Sequence, residues 1–535
     1  MGIITGANYD YQTAVSSLYS QIDPKMRVDA REQTVPEMRE YMRRIGLSYN
    51  SLNYEVIHVT GTKGKGSVCA FTESILRNAH KAHTGMFTSP HLLHVNERIR
   101  LDGKPINNGE FADAYFSVRE VLLTASRDYK DVEFQSLPSL PGYFRMLTLM
   151  ALFVFAHHKF DNGMGIDVAI IEVGIGGRFD ATNVLDNYAA CCIARLDLDH
   201  TNLLGDTLEK IAWEKGGIIK SSCGPAFTVD CNTDGSIDVL RRCADDVAAS
   251  LHIITVGSRV KLGEWNLGLK GDHQIINAEL ALSLCEAFMA HNEVLKDRQH
   301  AICLDTVYSL VKDAFDNTFW PGRCQFIRTS RFQDYIHIYL DGAHTLESIS
   351  CCLNWFVGNS GFHKNRESMV RPKRILIFNC GHERNPVDML KHIVLTRQHE
   401  YESMFDDIYF CSAKSERPST MPRPTAQALL EEAGMINVQS DDGSLPSYRE
   451  ASSQNTWQET LSELWRYLDR VFPCKKISCL HVGVSIEEVF NIVHKDAVDS
   501  SVPADVCVMG SLYLAGSVLQ VLEWDEEHAT GQIVR

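Results

Sequence analysis

Up to about residue 300, short apolar runs alternate with longer stretches in which apolar residues recur at helical spacing. That alternation is the pattern of a doubly wound α/β domain. Strands are predicted at 56–59, 84–87, 167–173 and 189–194, and helices at 68–78, 143–159, 208–218 and 273–291. The apolar stretch from Met146 to Ala156 is too short to cross a bilayer and reads as a buried helix. Turn residues break the periodicity at Asp316-Asn-Thr-Phe-Trp-Pro-Gly-Arg323. A second series follows, with strands predicted at 335–340, 374–378, 407–411, 477–480 and 505–509. Polar segments at 358–374, 415–425 and 439–456 read as surface loops or insertions.

The loop after the first predicted strand changes this picture most. It reads Gly61-Thr62-Lys63-Gly64-Lys65-Gly66-Ser67 and leads into the helical stretch. Strand, glycine loop and helix N-terminus, in that order, bring backbone N–H groups onto a polyphosphate. Lys65 would reach the outer phosphates, and the Ser67 hydroxyl is placed for a magnesium ion. The common P-loop pattern wants a glycine where Val59 stands, so the loop is a shortened variant. Glycine-rich loops also make plain turns. The expected fold is therefore α/β, with an N-terminal P-loop doubly wound domain over 1–316, a hinge at 317–324, and a smaller Rossmann-like α/β domain over 325–535.

Composition adds limits. Of 535 residues, 44% are apolar and 22% charged, as in ordinary globular proteins. The net charge of −16 argues against a general nucleic-acid binder, and no integral membrane segment is expected. The sixteen cysteines include no Cys-x-x-Cys pair, which disfavours a zinc ribbon or redox dithiol. No apolar leader precedes Asp10, and Asp23 and Asp29 fall where a transit peptide avoids acids, so a reduced intracellular compartment is expected.

Ligands of open α/β sheets sit beyond the carboxyl ends of the strands. Ser89, Glu172 and His200 each follow or end a predicted strand. A hydroxyl, a carboxylate and an imidazole beside a triphosphate suit magnesium, although its preference for oxygen makes His200 the least expected. Each has a plainer reading: Ser89 as a turn before proline, Glu172 as half of a buried salt bridge, His200 as a capping or core histidine. Lys215 lies on an apolar helix before two glycines. Burial there would lower its proton affinity and make it a functional amine or carbamate site, unless its stem only packs with the head in solvent. In the second domain Asp341 and His344 follow a strand, and Arg323 stands at the break.

With these pieces assembled, the chain resembles the folylpolyglutamate synthases of eukaryotes, within the Mur-ligase superfamily. The likeness rests on His58-Val-Thr-Gly-Thr-Lys-Gly-Lys-Gly-Ser67, Thr88-Ser-Pro-His91 with Glu97-Arg-Ile-Arg100, and Tyr143-Phe-Arg-Met-Leu-Thr148. It continues through Glu172-Val-Gly-Ile-Gly-Gly177, Asp199-His-Thr201, Ile211-Ala-Trp-Glu-Lys-Gly-Gly217, Trp320-Pro-Gly-Arg323, Asp341-Gly-Ala-His-Thr345 and Gly510-Ser-Leu512. The resemblance implies an ATP-dependent ligase that joins L-glutamate to the γ-carboxyl of tetrahydrofolate and its polyglutamates through an acyl phosphate. It implies that Gly61 to Ser67, Asn277, Asp341 and Arg323 hold ATP, and that Ser89, Glu172 and His200 hold Mg2+. It places Lys215 at a carbamylated lysine, His344 near the incoming glutamate, Arg98 and Phe144 on the folate edge, and Ser511 on the glutamate side. Partners are then reduced folates, glutamate and ATP, acting on a monomer, with a monovalent cation such as K+ also in view. The compartment implied is the cytoplasm, and the mitochondrion too if an alternative start adds a presequence. The loop 381–386 and the insertions after 415 have no assigned role.

Two other readings stand beside this one. A dihydrofolate synthase, or a bifunctional enzyme, would use the same chemistry on dihydropteroate; Lys63 and the eukaryotic-like flanks favour polyglutamylation. A non-catalytic P-loop protein would need neither Glu172 and His200 nor the strand-end Asp341 and His344.

Overall fold

The computed structural model describes residues 10–22, 28–48, 52–128, 137–261, 264–292, 304–332, 335–361, 371–381, 385–400, 404–413, 423–435, 456–474, 477–524 and 533–534. Most of the polar insertions anticipated after 415, and part of the 381–386 loop, lie outside these residues. The chain divides into two units, 1–268 with 273–318, and 269–272 with 319–535.

The first unit is built on an eight-stranded sheet. Its strands are β1 (Glu55–Thr60), β2 (Thr84–Phe87), β3 (Ile99–Leu101), β4 (Lys104–Pro105), β5 (Val168–Glu172), β6 (Ala190–Ile193), β7 (Ala226–Val229) and β8 (Leu251–Ile254). The order is β4-β3-β2-β5-β1-β6-β7-β8. From β2 to β8 across the sheet, neighbours are parallel, while β3 and β4 form an antiparallel margin. Parallel neighbours need crossover connections, and the helices Lys65–Asn78, Tyr143–His157 and Leu208–Gly216 lie in them. β1 stands at the centre, with β5 on one side and β6 on the other. The chain leaves β1 in one direction and later returns past it in the other, which opens a crevice beyond its carboxyl end.

Packing follows the hydrophobic pattern. Val56, Ile57 and Val59 of β1 are buried, as are Val168 to Ile171 of β5. A strand covered on both faces reads as a continuous apolar run, which is why these were legible. The helix Gln274–His291 is apolar nearly all round and packs on both the helix Lys65–Asn78 and strands β6 and β7. Phe71 meets Phe315 edge to face at 5.2 Å, joining that helix layer to the helix Leu304–Asp316.

The second unit has a seven-stranded sheet of β9 (Gln325–Thr329), β10 (Ile336–Leu340), β11 (Lys373–Phe378), β12 (Asp407–Phe410), β13 (Cys479–Val482), β14 (Ala504–Met509) and β15 (Ile533–Val534). Its order is β13-β12-β11-β14-β10-β9-β15, parallel from β13 to β10 with β9 antiparallel. Both units are thus α/β, as expected.

Most element ends shift by one or two residues, and two shifts bear on the argument. The helix after the glycine loop begins at Lys65 rather than 68, so Lys65, Gly66 and Ser67 form its first turn. The strand expected at 477–480 runs from Cys479 to Val482, paired with β12, and leaves Ile477 exposed. Pairing with a neighbour, which local pattern does not encode, fixed that register.

Replacing Phe71 by alanine removes a fully buried ring and is expected to destabilise the first unit by about 3–5 kcal/mol, read as a lowered urea midpoint. An unchanged midpoint would show that the helix layer does not depend on the Phe71–Phe315 contact.

Candidate active site

The crevice beyond β1 is shaped by a loop with little freedom. Gly61 has φ +152°, and a Cβ there would lie 2.7 Å from Ala194 Cβ. Gly64, at φ +83°, caps the helix, and a Cβ there would lie 2.1 Å from Asn277 Oδ1. Only glycine satisfies both the conformation and the space. The amides of Thr62 and Lys63 donate to the carbonyl of Arg195 at 2.9 and 3.0 Å, and Thr62 Oγ1 donates to the Asp197 carbonyl at 3.0 Å. The segment after β6 therefore straps the loop from one side. On the other side Thr60 Oγ1 donates to the Gly176 carbonyl at 2.6 Å. Asn277 is held by its own Nδ2, which donates to Gln274 Oε1 at 2.8 Å.

Two lysines meet inside this loop. Lys65 Nζ donates to the Gly61 carbonyl at 3.1 Å, and Lys215 Nζ donates to the same oxygen at 2.8 Å. Lys215 is only 3% exposed. Burial, with Lys65 adding repulsion, pulls its amine well below the ordinary lysine range, against the attraction of Asp199, Asp180 and Glu214. The core-packed reading with a solvated head is thereby corrected. A buried amine of lowered proton affinity is chemically able to add CO2 as a carbamate.

The expected metal group is brought together in part. Glu172, 3% exposed at the end of β5, accepts the Ser89 amide on Oε2 at 2.9 Å. His200 is exposed, with φ +51°, and stands at the N-terminus of the short helix Thr201–Leu204, where its amide donates to Asp199 Oδ1 at 2.9 Å. Among the described residues no three His, Cys, Asp or Glu side chains form a metal-holding group. A buried carboxylate, with the hydroxyls of Ser67 in the first turn of the helix Lys65–Asn78 and Ser89 on the loop after β2, is nonetheless an oxygen-rich donor set, which fits magnesium completed by water and phosphate.

Behind the loop runs a buried polar chain that sequence reasoning missed. Thr182 Oγ1 donates to Asp180 Oδ1 at 2.6 Å, so the 2.9 Å contact between His58 Nε2 and Thr182 Oγ1 has the imidazole as donor. Asp180 also accepts the amides of Thr182 and Ile175 at 2.9 and 3.2 Å. Burial raises the Asp180 carboxyl, while burial and then Lys220 lower His58 to about 3, so the imidazole is neutral. Beside it Arg31 pairs with Glu214 at 3.1 Å and donates to the Leu203 carbonyl at 2.6 Å. An Asp capping Ala181–Val184 two residues before a threonine was the available signal.

On the β2 side, the Phe144 ring lies against Gly174, where a Cβ would be 2.6 Å from Phe144 Cζ, and tilts 5.9 Å from Phe87. Arg98 is 6% exposed, and its guanidinium lies 5.7 Å from the Tyr143 ring centre.

The second unit gathers its own set at the carboxyl ends of β10 and β14. Asp341 Oδ2 accepts the Cys324 amide at 2.7 Å, and the Gly342 amide donates to the Gly322 carbonyl at 3.0 Å. Arg323 Nη1 lies 3.4 Å from the Gly322 carbonyl and would be 2.9 Å from a Cβ on Gly342. His344 Nδ1 donates to the Gly342 carbonyl at 2.7 Å, and in a neutral ring Nε2 is then the acceptor nitrogen. Ser511 caps the helix Leu512–Val521 by accepting the Tyr513 amide at 3.1 Å, and Gly510 donates to the Ala343 carbonyl at 2.7 Å.

No family model matches the chain. Individual proteins do. The mitochondrial folylpolyglutamate synthase of Homo sapiens is 37% identical over 438 residues, covering 77% of this chain and 69% of its own. The folylpolyglutamate synthase of Saccharomyces cerevisiae strain FostersO is 32% identical over 531 residues, covering 97% and 88%. The chain belongs to the folylpolyglutamate synthase family. Members with solved structures share its fold. The Mycobacterium tuberculosis enzyme complexed with ADP and AMPPCP aligns over 96% of this chain and 100% of its own, with a TM-score of 0.66 and 22% identity. A folylpolyglutamate synthase complex with AMPPCP and folate gives 0.63 at 20% identity, over 96% and 99%. No helix among the described residues is long and apolar enough to cross a membrane.

The lowered Lys215 amine has a consequence for stability. Its folded value lies below 10.5, so the unfolded chain binds a proton that the folded chain does not. Relative to Lys215→Met in CO2-free buffer, wild-type stability should rise with pH through that window, by up to about 1.4 kcal/mol per unit. Urea unfolding over the pH series reads this, and a flat difference would contradict a buried neutral amine.

Proposed function

We propose that the loop from Gly61 to Ser67 grips the ATP phosphates while Lys215 and Glu172 complete the charge pattern around them. The protein is an ATP-dependent ligase that polyglutamylates folates, as its family membership establishes. The observation that carries the assignment of residues is the convergence of Lys65 and Lys215 on the Gly61 carbonyl, with Asn277 fitted against Gly64. Asn277 and, in the second unit, Asp341 are assigned to the nucleotide.

A carboxylate resists attack by an amine, so the γ-phosphoryl of ATP is moved to it first. That step releases ADP and gives an acyl phosphate. The glutamate amine then attacks the acyl carbon, phosphate leaves, and the amide forms with loss of a proton. Lys65 and Arg323 carry positive charge suited to the transferring phosphoryl group, whose passage is mainly a matter of position and electrostatics. Ser89 and Glu172, with His200, would hold Mg2+, which when bound draws charge from the phosphate oxygens. A carbamate on Lys215 would replace an amine with an anion and strengthen that cation site; K+ is the monovalent ion of the same expected set. His344, with Nδ1 fixed by Gly342, has Nε2 oriented as an acceptor for the amine proton, and Ser511 belongs to the glutamate side. Arg98 and Phe144 form the folate edge, with tetrahydrofolate and its γ-linked polyglutamates as acceptors. We place the protein in the cytoplasm, acting as a monomer; the mammalian relatives are named as mitochondrial.

Incubation with MgATP, labelled glutamate and either tetrahydrofolate or dihydropteroate tests the acceptor. Label is expected on tetrahydrofolate; label on dihydropteroate alone would replace this reading with a dihydrofolate synthase. Lys215→Ala is expected to lower turnover by about 100-fold and to recover part of it with added short-chain carboxylic acid. Full activity in that variant would remove the carbamate from the reaction.

A further inference from the structure

The folate edge contains a closed ring of contacts that the reaction as described does not use. Arg98 Nε donates to His91 Nδ1 at 3.0 Å. An imidazole nitrogen that accepts must be unprotonated, so the ring proton sits on Nε2. Nε2 then faces Tyr19 Oη at 3.5 Å. The Tyr19 ring stacks on Tyr143, with centres 5.4 Å apart and planes at 9°. Tyr143 in turn lies under the Arg98 guanidinium at 5.7 Å. Arg98, His91, Tyr19 and Tyr143 come from four separate elements: the turn Val95–Arg98, the loop after β2, the helix Tyr11–Tyr19 and the helix Tyr143–His157.

This arrangement has an electrostatic peculiarity. Arg98 is nearly buried, yet among the described residues no carboxylate pairs with it. A neighbouring acid, Glu97, is occupied by the amides of Leu92, Leu93 and His94 at 2.7 to 2.9 Å. A buried cation held by a neutral acceptor and an aromatic face keeps its charge available to an arriving anion. A carboxylate partner would have neutralised it. The acceptor substrate brings carboxylates of its own.

We propose that His91 and Tyr19 are positioning residues for folate: neutral His91 aims the Arg98 guanidinium, and Tyr19 fixes both the imidazole and the Tyr143 ring. The helix Tyr11–Tyr19 thereby becomes part of the acceptor site. This rests on the reading of Arg98 as a folate-edge residue. Neither residue touches the reacting atoms, so they affect binding of the acceptor and leave the phosphoryl chemistry alone.

Steady-state kinetics of His91→Leu, His91→Asn, Tyr19→Phe and Arg98→Gln, with thermal unfolding of each, tests it. His91→Leu should raise KM for tetrahydrofolate about tenfold, with kcat and KM for ATP and glutamate within about twofold of wild type. Asparagine offers an acceptor near the Nδ1 position, so His91→Asn should restore most of that KM. Tyr19→Phe should give a smaller rise, and His91→Leu should add little to Arg98→Gln. An unchanged folate KM in His91→Leu would overturn the relay, as would equal losses toward all three substrates without recovery in His91→Asn. If Arg98→Gln itself leaves the folate KM unchanged, the folate-edge reading fails; if Arg98→Gln raises it and His91→Leu does not, only the relay fails.

Discussion

One peptide oxygen, the carbonyl of Gly61, organises the chemistry of the first unit. Lys65 and Lys215 both donate to it, from the helix that follows β1 and from a helix reached only after β6. Two full positive charges so close together in a buried setting would repel strongly. Burial first, and then repulsion from Lys65, weakens the hold of the Lys215 amine on its proton. A buried lysine with lowered proton affinity gains reactivity that an exposed lysine lacks at the same pH. The rest of the site follows from keeping that oxygen in place: the Arg195 carbonyl receives the loop amides, and Ala194 closes off the space beside Gly61.

The sheet order explains why such distant segments can meet. Because β1 lies between β5 and β6, the loops after all three strands share one edge. Glu172 arrives from one neighbour and the Arg195–Asp197 strap from the other. The polar chain from His58 through Thr182 to Asp180 secures the layer behind them with every shared proton assigned. Such a chain buried in an apolar surround holds one geometry, since breaking any link strands a polar group.

Much of this was legible in the linear pattern, for identifiable reasons. Strands β5 and β6 are buried and read as apolar runs, β1 does so apart from His58, and the glycine loop is a local motif whose spacing carries its own geometry. Lys215 stood out because it directly precedes two glycines at the end of a helix whose Ile211 and Ala212 are buried. The margin β3–β4 and the helix Tyr11–Tyr19 were not legible, since short or amphipathic edge elements take their identity from what they pack against. The register of β13 was lost for the same reason, its partner β12 being far away in sequence. Asp180 resembles an ordinary cap until the fold sets Thr182 and His58 around it. For His200, neither capping by its side chain nor burial in a core describes its exposed, left-handed position.

The side chain of Asn277 occupies the room that any larger residue at Gly64 would claim. The two positions are therefore coupled through shared space as well as through the loop's backbone. Shortening residue 277 would clear the space but leave the +83° backbone that favours glycine at 64, and it would give up the amide bonded to Gln274. Drift in this part of the molecule is thus confined by room and backbone conformation, without any appeal to the chemistry it performs.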